Sequence, residues 1–308
     1  MKPIKYATYL AIITAVISGT NNFLAKIAVT AVKDPVLYTS LKNAIVAVFL
    51  VGVVLAAKKL PEIASLTRKQ ALKLLAIGVV GGSVPFALFF TGLTKTNALN
   101  AGLIHKTLFL WVAIMAIPLL KERMSMPQWA GIVMIFGANL IVGGFTGFKF
   151  NSGELMILAA TILWAIESII AKKALADISS AAVAAARMVI GSVILFGIVF
   201  FRGGASAVFT LDAASWGWTL LTSALLSGYV MAWYTALKYA PATYVATLLV
   251  PATLVTNILS AVFTTHSLVP GQLIAAFLMT AGAILVVRFA KEFSKNAEAG
   301  NRLGISTV

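Results

Sequence analysis

Five ionisable side chains stand in apolar surroundings that offer them little water: Lys42, His105, Lys106, Glu167 and Arg187. A charge inside a lipid-spanning helix is costly and marks either pairing or function. Lys106 lies about 12 Å below the nearer end of its apolar segment, close to mid-bilayer, where its stem cannot easily carry the ammonium to the interface. It must face a wet cavity, meet a carboxylate or lose its proton. His105 beside it belongs to the side-chain type that ordinarily titrates near neutrality. Glu167 lies about 21 Å from one end of its segment and about 9 Å from the other. Arg187, on the next segment, lies about 9 Å from that same second side, so the two can pair. Lys42 falls 145 residues before Arg187, and Asn21 falls 146 before Glu167. Lys42 and Arg187 have stems long enough to snorkel, which makes them structural candidates together with Asn21.

Aromatic side chains gather on the same segments: Phe86, Phe89, Phe90, Phe109, Trp111, Trp164, Tyr229, Trp233, Tyr234 and Tyr244. Most aromatics in a bundle pack or form interfacial belts. Trp164, Tyr229 and Trp233 share their segments with polar groups and are the stronger candidates for touching a bound molecule, with Tyr244 and Asn22 added. Gly78, Gly81 and Gly82 lead into Ser83-Val84-Pro85. Small residues let helices approach closely, and Pro85 removes a backbone donor and so frees a carbonyl. Pro85 and, in the second half, Pro251 are candidate kinks or hinges.

The elements that must hold these residues follow from composition. Of 308 residues, 60% are hydrophobic and 11% charged, and the mean hydropathy is +0.98. A soluble chain would carry about 25% charged residues. Spanning backbone must satisfy its own hydrogen bonds, so only helices or closed barrels serve, and these apolar runs far exceed the roughly ten residues of a barrel strand. Ten spanning segments are expected, over residues 7–27, 35–57, 71–93, 98–119, 127–143, 153–171, 181–201, 214–237, 241–263 and 271–287. The apolar N-terminal stretch reads as a retained first helix, because no small-residue cleavage site follows it. The tail from Lys291 is polar and is expected to lack structure.

The net charge of +15 reflects topology rather than nucleic-acid binding. With the N-terminus inside, 16 Lys and Arg fall on the inner side. Only Lys33, Lys95, Lys149 and Arg202 fall outside, and Lys26, Lys42, Lys106 and Arg187 lie within helices. The positive-inside rule then places both termini in the cytoplasm of a multi-pass protein of the cell membrane. The chain also repeats itself. The stretch from Leu10 aligns with that from Met156, and the stretch from Thr91 with that from Thr235, at offsets of 146 and 144. Five helices per half give two inverted repeats, over 1–147 and 148–290, with a polar cytoplasmic tail over 291–308. Inverted repeats are typical of secondary transporters, whose site lies between the halves near the midplane.

Several motifs carry a family resemblance over nearly the whole chain. Gly19-Thr20-Asn21 with Lys26 follows a W-G-[ST]-N…K pattern, and Trp164-Ala165 with Lys172-Lys173 stands at the matching place in the second half. Tyr234-Thr235-Ala236-Leu237-Lys238-Tyr239 and Ala242 follow Y-x-A-L-K-Y-x-x-A, while Glu122-Arg123, Gln128 and Gly131 follow G-E-R-x-x-x-x-Q-x-x-G. In this order the motifs resemble the EamA family of the drug/metabolite transporter superfamily. The resemblance implies a ten-helix carrier, usually an exporter of amino acids or related metabolites. The sequence departs from the pattern at Ser18, where the family has Trp. His105-Lys106-Thr107 replaces a neutral stretch ending in Pro, and His266 replaces an acidic residue.

The expected function is therefore secondary transport, as an exporter of small metabolites such as amino acids, through an alternating-access central cavity. The alternative is a channel-like or lipid-interacting scaffold. Expected partners are a small-molecule substrate and membrane lipid, with a coupled proton as a further option and no nucleic acid; oligomeric state is open. No cofactor is implied: Cys is absent, which removes thiolate metal sites. An enzyme is disfavoured, since there is no H-E-x-x-H, no G-x-S-G and no pair of intramembrane Asp residues.

Overall fold

A computed structural model describes residues 2–93, 95–96, 98–143, 150–267 and 270–302. The described chain is helical from end to end. The first half holds α1 (Lys2–Val32), α2 (Pro35–Ala56), the short α3 (Leu60–Ala64), α4 (Arg68–Gly82), α5 (Val84–Leu93), α6 (Ala98–Lys106), α7 (Leu108–Leu120) and α8 (Met126–Gly143). The second holds α9 (Ser152–Ala174), α10 (Ser180–Phe201), α11 (Ala213–Tyr239), α12 (Ala242–Leu249), α13 (Ala252–Ser260) and α14 (Pro270–Arg302). Among the described residues, nine helical runs are long and apolar enough to cross a membrane. A shorter apolar helix, Met126–Ile141, occupies the place of the expected fifth segment.

Short polar side chains start five of these helices, where they satisfy orphan N–H groups of the first turn. Asp34 accepts from Val36 and Leu37, Asn151 from Glu154, Ser179 from Ala182 and Asp212 from Ser215, at 2.8–3.3 Å. The side-chain and backbone hydrogen bonds from Ser215 hold the Asp212 carboxyl below the usual aspartate range. Thr67 and Gln70 form a reciprocal capping box on α4.

Three expected spans are each built from two helices. The run Arg68–Gly92 breaks at Ser83, between α4 and α5. The run Ala242–Thr264 breaks at Pro251 and ends in a π-helical turn, Ala261–Thr265. The run Asn100–Leu120 breaks at Thr107, 144 residues before Pro251, although no proline stands there. The Thr107 hydroxyl instead donates back to the Ile104 carbonyl at 2.6 Å and accepts from Trp111 Nε1 at 3.1 Å. Such back-bonding competes with the backbone ladder.

One expectation is corrected. α14 does not stop near Val287 but continues to Arg302, into the segment expected to lack structure. Lys, Glu and Ala are good helix formers and no proline interrupts this stretch, so the preceding helix propagates.

The apolar core joins both halves, with Val46, Leu50, Phe109, Ile135, Ile169, Met188, Tyr234 and Val245 among its members. α1 packs most extensively on α11, α14 on α8, and α10 on α2 and α4. α4 meets α10 at Gly82 and Gly191, where a Cβ on either residue would fall within 2.4 Å of the opposing backbone oxygen. This contact exists only because neither residue has a side chain.

Candidate functional site

The break between α4 and α5 organises the polar interior. In an unbroken helix the N–H of residue 85 would donate to the carbonyl of Gly81. Pro85 has no N–H. The freed Gly81 carbonyl accepts from Trp164 Nε1 at 3.0 Å and from Arg187 Nη2 at 3.2 Å. The carbonyl made available by Pro85 thus becomes the point where α9 and α10 are tied to α4. Asn43 adds α2 to the same place through Nδ2 to the Gly82 carbonyl at 3.4 Å. Gly81 is required here, since a Cβ on it would lie 2.3 Å from Glu167 Cγ.

Glu167, Arg187 and Tyr234 form one buried group. The Tyr234 hydroxyl donates to Glu167 Oε1. The Arg187 guanidinium carbon lies 5.9 Å from the Tyr234 ring centroid. The expected pairing of Glu167 with Arg187 is therefore modified: Tyr234 stands between them, its hydroxyl on Glu167 and its ring beside Arg187, while Arg187 itself bonds the Gly81 carbonyl. Arg187 Nε remains without a hydrogen-bond partner. Tyr234 was legible only as one aromatic among many; its motif position, five residues beyond Tyr229 on α11, did not disclose that it meets Glu167.

Beside this group lies an aromatic cluster. Trp164 contacts Phe86, Phe89 and His105 at ring-centroid distances of 5.2, 5.7 and 4.8 Å. His105 also meets Phe89 at 5.2 Å, and its Nδ1 is buried without a hydrogen-bond partner. Lys106, the next residue, ends α6 at the Thr107 break, half-buried and with no hydrogen bond or ion pair among the described residues. On α11, Tyr229 and Trp233 stack at 6.3 Å with an interplanar angle of 8°.

The first-half counterparts are arranged differently. Lys42 is buried with Nζ 5.0 Å from the Tyr38 ring centroid, a cation–π contact. The Tyr38 hydroxyl donates to Thr222 at 2.8 Å. Asn21, expected at the depth of Lys42, is buried but does not bond it, and its Oδ1 has no partner. Asn22 is exposed and makes no hydrogen bond or ring contact with the cluster among the described residues. Tyr244 is also elsewhere: its hydroxyl lies 2.8 Å from Thr8 Oγ1, joining α12 to α1. Pro251 starts α13 and lines a separate groove with α1 and α14. The structure therefore groups Pro85, His105, Trp164, Glu167 and Arg187 around one break and leaves Asn22, Tyr244 and Pro251 outside it.

Three ties at helix ends escaped the sequence reading. Glu122 accepts from Ala242 N at 2.6 Å, Thr243 N at 3.0 Å and Thr243 Oγ1 at 2.7 Å. α12 begins after Pro241, which offers no capping side chain. That missing cap was the available signal that a carboxylate must come from elsewhere. Lys172 Nζ donates to the Leu237 and Ala240 carbonyls, each at 2.7 Å, at the end of α11. Glu62 accepts from Ser179 N at 2.6 Å, at the start of α10. Burial alone would raise the Glu62 carboxyl, but the hydrogen bonds from Ser179 and the charge of Lys59, 3.5 Å away, hold it below the usual glutamate range.

Comparison with known proteins agrees with this architecture. The model of the EamA-like transporter family matches twice, over residues 5–144 and 151–288. "Uncharacterized transporter YyaM" of Bacillus subtilis is 28% identical over 245 residues, covering 75% of this chain and 79% of that protein. "Uncharacterized transporter YvbV" of the same organism is 26% identical over 295 residues, covering 92% and 91%. A Synechocystis protein, also named an uncharacterized transporter, is 27% identical over 248 residues, covering 74% and 68%. A solved crystal structure shares the fold at a TM-score of 0.78 and 16% identity, covering 92% of this chain and 98% of that one. With the family model matching nearly the whole length, the chain belongs to the EamA-like transporter family and is a multi-pass membrane transporter.

Proposed function

We propose that this transporter is a secondary carrier that exports small carboxylate-bearing metabolites, such as amino acids, by alternating access between two inverted five-helix repeats. One observation carries the substrate class. Toward the middle of the bundle, among the described residues, Lys42, Lys106 and Arg187 stand against Glu167, which already accepts from Tyr234; the other buried carboxylate, Glu154 in the first turn of α9, already accepts from Asn100 at 2.6 Å. Lys42 has the Tyr38 ring and Arg187 has the Gly81 carbonyl, whereas Lys106 has no partner among the described residues. A substrate carboxylate would give Lys106 a charge-assisted hydrogen bond. The rings of Trp164, Tyr229 and Trp233 would cover its less polar end.

The two family-model matches and the helix breaks at Thr107 and Pro251 support the repeat organisation. Interrupted helices at corresponding places in the two halves are a feature of transporters built from repeats. The excess of inner basic residues supports a cell-membrane orientation with both termini in the cytoplasm. Export as the direction rests on the family resemblance. A coupled proton is a second proposed partner, with Glu167 and His105 as the groups to carry it.

Lys106→Met keeps much of the stem and removes the charge. In proteoliposomes it should cut uptake of a carboxylate substrate strongly and that of its amide analogue little. Equal loss for both, at normal protein level, would overturn the role of Lys106 and with it the substrate class.

A further inference from the structure

A groove of about 630 Å³ lies away from the polar interior, between α1, the α12–α13 break and α14. On α1 it runs from Thr8 to Val16 and on α14 from Thr280 to Arg288, about 12 Å along each axis. That length is most of one leaflet's share of a hydrocarbon core about 30 Å thick. The two helices run in opposite directions, so Thr8 and Arg288 fall at the same end and Val16 and Thr280 at the deeper one. The rim faces outward from the bundle: Ile12 is 48% exposed and Ile284 59%. In a membrane the groove therefore opens sideways to acyl chains rather than to water.

Charge is confined to one end. Arg288 lines the mouth, is exposed, and makes no hydrogen bond or ion pair among the described residues. Lys5, three residues before Thr8 on α1, is exposed at the same end. Among the described residues, no acidic side chain lines the groove. An occupant must therefore combine an apolar chain about 12 Å long or longer with an anionic head at the interface. A zwitterionic head would bring its own ammonium toward Arg288 and Lys5, and an anionic head would not. We propose that this groove is a binding site for one anionic phospholipid of the leaflet facing the N-terminus. Its phosphate would be held by Arg288, and one acyl chain would lie against the α12–α13 break.

Native mass spectrometry of the full chain in detergent tests this, with phosphatidylglycerol and phosphatidylcholine of identical acyl chains as the probes. The wild type should retain one phosphatidylglycerol in preference to phosphatidylcholine. Arg288→Gln should lower phosphatidylglycerol retention about fivefold, the contribution of one basic residue at an anionic membrane surface, and leave phosphatidylcholine unchanged. Arg288 is exposed, so this variant should fold. Arg123→Gln, which removes an exposed cation from a loop outside the groove, should change neither. Equal retention of the two lipids by the wild type would overturn the proposal. So would undiminished phosphatidylglycerol binding in Arg288→Gln, or an equal loss in Arg123→Gln, which would indicate general surface attraction.

Discussion

Gly81 is the residue on which the interior turns. Its missing side chain leaves room for Glu167, and its carbonyl, freed by Pro85, receives Trp164 and Arg187. Gly81→Ala would place a methyl group 2.3 Å from Glu167 Cγ. Overpacking of this kind costs about 1–3 kcal/mol, and the cost here adds to disturbance of the Tyr234 hydrogen bond. The melting temperature of the detergent-purified variant should fall clearly below that of the wild type. Gly52→Ala, at a helical glycine with nothing within 4 Å of the added Cβ, should match or slightly exceed the wild type. Similar losses in both would show that the Gly81 contact does not limit stability. At this scale the sequence was partly legible. Pro85 announced a freed carbonyl, and the charges of Glu167 and Arg187 announced a buried group. Which donors would take the carbonyl, and that Tyr234 would join the two charges, depend on how α4, α9, α10 and α11 are rotated against one another. Spacing along the chain does not contain that rotation.

Three helix ends are tied by charges brought from other elements. Glu122, from the loop between α7 and α8, caps α12, and Glu62, from the short α3, caps the start of α10. Glu122→Ala leaves three donors without their acceptor, and each unsatisfied group costs about 1–3 kcal/mol where water cannot replace it. A lower melting temperature is expected, with Arg123→Ala beside it as an unaffected control. Glu62 offers a pH test. Its folded carboxyl is held below the usual range, so the stabilisation is present above the ordinary glutamate pKa of about 4.3 and is lost as pH falls through the lower folded value. Glu62→Gln should therefore melt below the wild type at pH 7, and the gap should narrow as pH falls below the ordinary glutamate range. A gap that persists unchanged at low pH would remove the Glu62 charge from the account. The periodic apolar runs disclosed nearly every span, because length and hydropathy are local properties. The Thr107 break and the continuation of α14 were not legible, since one rests on a side-chain hydroxyl turning back on its own helix and the other on propagation from a stable neighbour.

For the molecule as a whole, membership of the EamA-like transporter family fixes the class, while orientation and mode of transport remain proposals with direct tests. Ser206 and Ser65 are both exposed and fall in loops assigned to opposite faces by the basic-residue count. A cysteine at Ser206 should react with an impermeant thiol reagent in intact cells, and one at Ser65 should not; the reverse would invert the topology. The distribution of Lys and Arg was readable because it is a sum over loops, and the near-constant offset of 144–146 made the internal repeat readable in the same way. The substrate was not readable, because recognition depends on which side chains converge in space. The most direct test of the carrier mechanism is counterflow in proteoliposomes preloaded with unlabelled amino acid. A carrier that alternates access must return with substrate, so external labelled substrate should accumulate transiently above equilibrium, and more strongly as the internal load rises. Uptake that is indifferent to the internal load, rising smoothly to equilibrium, would describe a pore and contradict alternating access.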